Sequence, residues 1–82
     1  MKTLFILKHA DAMPDGLEKL LNECTIGVQA VPGIALARTA SDKWLAVVDD
    51  GEALHFVATE SRKGPSIKDI RAHVQLSKQR AN

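Results

Sequence analysis

The sequence predicts an α+β fold: a two-layer sandwich of βαβββα order, with a mainly antiparallel four-stranded sheet and two helices. Three observations carry that expectation. "TLFILK" and "KWLAVVDDGEALHFV" are short runs of strand type, "LEKLLNEC" repeats its apolar residues at helical spacing, and a second helical pattern closes the chain. At 82 residues, 45% hydrophobic and 26% charged, the chain is expected to form a single domain, 1–82, with the composition of an ordinary soluble protein. A domain of this size buries only about 60% of its unfolded surface, so every covered face matters to its stability.

The first element, 3–8, has Phe5 and Leu7 on one side and Leu4 and Ile6 on the other, which suits a strand buried on both faces and central in the sheet. The stretch 13–24 places Leu17, Leu20, Leu21 and Cys24 at i, i+3, i+4 and i+7, one face of an amphipathic helix. Pro14 fits its first turn, and Gly27 is placed for a left-handed C-cap. From Thr25 to Thr39 the chain favours extended conformation, broken at Pro32-Gly33, a pair suited to a type II turn. "IALAR" (34–38) is a strand and "ASDK" a turn. Asp50-Gly51 is the strongest hairpin signal, because a type I′ turn needs positive φ at both central positions. The last helix runs over 66–80, opened by Ser66 and Asp69 at capping-box spacing after the break at Gly64-Pro65. Ile67, Ile70 and Val74 form its buried stripe, and Leu76 falls on the opposite side.

A turn at Asp50-Gly51 pairs Val48 with Ala53 and Trp44 with Val57. One face then holds Leu45, Val47, Leu54 and Phe56, to which a turn at Ser41-Asp42 adds Ile34 and Leu36. The other holds Trp44, Ala46, Val48, His55 and Val57, with Ala35 and Ala37 from the preceding strand. Two short helices stacked on one side leave this small-residue face for another chain to cover, and a contiguous apolar patch on a soluble protein marks a contact surface. The alternative is one helix on each side, for which the alanines suit close approach.

Signals for chemistry are sparse. His9, His55 and His73 lack metal-ligand spacing, no Gly-rich phosphate loop is present, and Asp49, Asp50 and Glu52 read as turn formers, so no metal, cofactor or catalytic residue is expected. Cys24 reads as a core residue; as the sole cysteine it excludes an intrachain disulfide and suits a reducing compartment. Lys8, His9 and Asp11 interrupt the first apolar run before the length of a signal sequence or membrane span, which makes a cytoplasmic location the expectation.

Net charge is +1, but residues 61–82 carry a balance of +5 and residues 40–60 one of −4. Lys68, Arg71 and Lys78 form one stripe of the last helix, extended upstream by Arg62 and Lys63, and such a stripe can track a phosphate backbone or be a solvated helix face. The αβββα order from Asp15 onward resembles a double-stranded-RNA-binding domain in topology, without its loop and helix motifs. The stretch "KWLAVVDDGEALHFVATESRK" is similar in rhythm to the core hairpin of RelE-type ribosome-dependent RNase toxins; that resemblance implies Lys43, Arg62 and Lys63 as its basic positions.

The function expected from these residues is a small non-enzymatic interaction protein that binds a second copy or a heterologous protein through Trp44, Ala46, Val48, His55 and Val57. A nucleic-acid-binding module using Arg62, Lys63, Lys68, Arg71 and Lys78 is the alternative, and an RNase toxin a distant one.

Overall fold

A computed structural model describes residues 1–24, 26–39, 43–59 and 64–80. The expected α+β class holds, with one open antiparallel sheet and two helices in the expected positions along the chain. The elements are β1 (Lys2–Lys8), α1 (Asp15–Asn22), β2 (Ile26–Val31), β3 (Ile34–Arg38), β4 (Trp44–Asp49), β5 (Ala53–Thr59) and α2 (Ile67–Arg80). The extended stretch before Pro32-Gly33 supplies β2, a fifth strand, and Gly33 takes the positive φ of 84° that the turn requires. Gly27, expected as a helix cap, pairs with Ala37 inside β2 instead.

The strand order is β1-β5-β4-β3-β2. β1 is therefore an edge strand, not the central one its apolar run suggested. The strands β2 to β5 pair in sequence as a meander, because each connection is short. β1 adds antiparallel to β5 at the free side of that meander, and α1 carries the chain across to the far edge.

Two registers differ from the expected pairing, with opposite consequences. In the β4–β5 hairpin Asp49 pairs with Leu54, two residues from the expected alignment, so every side chain keeps its face. Asp50 sets this wider loop: its Oδ1 accepts the backbone N–H groups of Glu52 and Ala53, both at 2.8 Å. β3 pairs with β4 as Arg38 with Trp44 and Ile34 with Val48, one residue from the expected alignment. That single step turns Ile34 and Leu36 onto the face of Ala46 and Val48, and Ala35 and Ala37 onto the face of Leu45 and Val47. The expected turn at Ser41-Asp42 lies outside the described residues.

The helices lie on opposite faces, so the sandwich has three layers, helix, sheet and helix. On one face Leu17 of α1 packs with Leu45 and Phe56, bordered by Phe5, Leu7, Leu20, Leu21, Cys24 and Val47. On the other, Ile70 and Val74 of α2 pack with Ile34, Ala46, Val48 and Val57. The helical spacings expected for both buried stripes hold, and Leu76 is exposed as its position in the pattern required.

Candidate protein-docking edge

The face expected to recruit another chain is covered by the protein's own second helix. Ala46 and Val57 are 0% exposed, His55 2%, and Val48 is buried. These four are interior residues and offer no surface to a partner. The physical reason is the one that weighed against the expectation: alanine and valine let α2 approach the sheet closely. Trp44 sits at the end of this face, half-buried, with the Arg38 guanidinium 5.5 Å from its ring centroid. Gly64, at φ 83°, passes so near that a Cβ there would stand 3.5 Å from the indole. The chain leading into α2 thus flanks the indole.

The polar residues of that face act as latches between α2 and the sheet. His55 Nε2 lies 2.6 Å from Asp50 Oδ2, and Lys78 Nζ of α2 lies 3.8 Å from the same oxygen. The backbone N–H groups of Ala53 and Glu52, then His55, hold the Asp50 carboxyl well below the usual carboxylate range. His55 Nδ1 is buried without a hydrogen-bond partner among the described residues. Nearer β1, Thr3 Oγ1 is 2.7 Å from His73 Nε2 and 3.3 Å from Ser77 Oγ, which pins the first strand to the last helix.

The basic candidates are dispersed by these contacts. Lys68 and Arg71 are exposed on α2, Lys78 is drawn toward Asp50, and Arg62 and Lys63 lie outside the described residues. Lys43 is exposed just before β4, where the RNase-like hairpin would have its first basic position. Among the described residues no group of three or more His, Cys, Asp or Glu side chains converges on a point that could hold a metal. Cys24 donates to the Leu20 carbonyl at 3.4 Å, and burial, with the Glu23 carboxylate near it, pushes its thiol up, as befits a packing residue. Among the described residues no helix is long and apolar enough to cross a membrane.

β1 and β2 are the two edges of the sheet, and among the described residues β1 is the edge whose exposed apolar side chains stand beside an open ladder. It pairs with β5 along one side only, and its burial alternates along the strand. Leu4 is 37% and Ile6 48% exposed. The pairing slips between Thr3 and Phe5, a bulge that turns Leu4 outward. At the far end the chain folds back: Lys8 N–H donates to Asp11 Oδ2 and Asp11 N–H to the Lys8 carbonyl, so the open stretch is residues 2–7. Met1, Lys2 and Leu4 also line a cleft of about 540 Å³, together with Leu20, Trp44, Leu45 and Ala58. Sequence reasoning missed this edge because a continuous apolar run looks the same in a central strand and in an edge strand that awaits a neighbour. The signal that could have found it is the pair Lys2 and Lys8, charges that sheets place on edges.

Comparison with protein-family models, with curated proteins and with solved structures found no match to this chain.

Proposed function

We propose that this protein is a small non-enzymatic interaction module that docks an extended segment of another polypeptide along the open edge of β1. The observation that supports it is the exposure of Leu4 and Ile6 on a strand whose outer side has no partner among the described residues. An edge strand presents a row of backbone donors and acceptors, and strand addition satisfies them while covering the apolar side chains beside them. The Thr3–His73–Ser77 contact holds the edge in place before a partner arrives. Nucleic-acid binding by α2 ranks second, since Lys68 and Arg71 stand exposed while Lys78 is drawn to Asp50.

A photocrosslinking amino acid at Ile6, introduced in cells that make the protein, tests the proposal. The expected result is one crosslinked polypeptide, identified by mass spectrometry and lost when Leu4→Asp is added. No adduct from position 6, with adducts to RNA or DNA from the same probe at Lys68, would overturn it in favour of the second reading.

A further inference from the structure

Resting on that docking reading, we infer that the β1 edge is built for a heterologous segment with an apolar centre and acidic residues at its ends, and against a second copy of this chain. β1 carries a lysine at each end, Lys2 and Lys8, about a central Thr3–Leu7. Both lysines are exposed, and neither forms an ion pair among the described residues. The acids in their surroundings are Asp11, whose Oδ2 already accepts the Lys8 backbone N–H, and Glu23, which lines the same cleft as Lys2.

A second copy pairing antiparallel about Phe5 would set Lys2 of each strand across from Lys8 of the other, but the bulge puts Lys2 on the face of Ala58 and Lys8 on the opposite face with Ala53, so the pleats of the two strands fall out of step on either side of Phe5. Opposite charges across neighbouring strands favour pairing and like charges disfavour it. Shifting the register to bring the pleats into step shortens the ladder and exposes the apolar centre again. An incoming strand with carboxylates at both ends meets the lysines instead, lays its apolar residues on Leu4 and Ile6, and takes up the outward-facing backbone groups of residues 2–7. The bulge at Leu4 and the lysines thus act together as filters: they hinder self-assembly of the edge while leaving it open to a partner of complementary charge.

Two synthetic nonapeptides test this, each alternating valine and threonine, one with glutamates and one with lysines at its ends. They are titrated into the full chain and followed by amide NMR shifts, with light scattering of the protein alone. The glutamate-ended peptide is expected to shift residues 2–8 and to bind at least about fivefold more tightly than the lysine-ended one, the difference shrinking at high salt. The double variant Lys2→Glu with Lys8→Glu should reverse that order. N-methylation of the peptide's alternate amides, on the side that faces β1, should abolish binding. Equal affinities in wild type and variant would overturn the charge rule and leave the docking reading in place. A dimer that forms on concentration and crosslinks copy to copy through Ile6 would overturn it too, with a second copy as the occupant. No shift from either peptide, despite a crosslinked protein at position 6, would overturn strand addition but not docking. Absence of that crosslink is the separate failure of the docking reading.

Discussion

The two faces of the sheet are covered in different ways. Under α1, large side chains fill the space: Leu17, Leu45 and Phe56 interlock, and a helix of eight residues suffices because bulky partners reach up to it. Under α2, the sheet offers Ala46, Val48 and Val57, and a helix of fourteen residues comes close, with polar latches in its C-terminal half, His73 and Ser77 on Thr3 and Lys78 toward the Asp50–His55 pair. One side depends on volume, the other on close approach and a few hydrogen bonds. The difference teaches that a small-residue face is no sign of a missing lid.

That contrast can be broken first at its bulkiest point. Leu17→Ala should cost about 3 kcal/mol, since a fully buried leucine leaves a cavity that a short helix cannot close, and urea unfolding measures it. Enlargement should hurt the opposite face: Ala46→Leu is expected to cost about 2 kcal/mol by lifting α2, whereas Ala37→Leu, half-buried on the α1 side, should cost less than about 1 kcal/mol. Equal costs for the two alanine variants would erase the distinction between the faces.

The latches give smaller and more specific effects. Because backbone N–H groups and His55 lower the Asp50 pKa in the folded state, the unfolded chain binds the extra proton; this contribution is full above about pH 4 and is lost as pH falls below it. Asp50→Asn should therefore lower the urea midpoint at pH 6 and flatten its decline between pH 4 and pH 3. Thr3→Val should cost about 1 kcal/mol through the lost contact to His73, with faster hydrogen exchange concentrated in β1. Leu4→Asp, on the exposed edge, should change stability by less than about 0.5 kcal/mol while abolishing the crosslink from position 6.

Much of the framework was legible from spacing alone. Leu17, Leu20 and Leu21, and Ile67, Ile70 and Val74, line the buried sides of their helices as the i, i+3, i+4 pattern required, and the alternation along β4 and β5 survived a two-residue change of register. The β3 faces did not survive a one-residue change, because strand parity reverses with each step and the deciding pairing, Arg38 with Trp44, is made across a loop. The candidate site failed for a different reason. Trp44, Ala46, Val48, His55 and Val57 do share a face, but nothing local to them reveals which side α2 takes after the chain leaves β5.

The sequence by itself determined where both helices and four of the strands lie and which side chains turn together within each element, because those properties follow from periodicity over a few neighbours. Only the tertiary structure decided that β1 lies at an edge, that the helices part to opposite faces, and that Leu4 and Ile6 rather than Trp44 meet the solvent. Strand order and face coverage depend on contacts between residues far apart in the chain, and an apolar run carries no mark of whether one neighbour or two will pair with it.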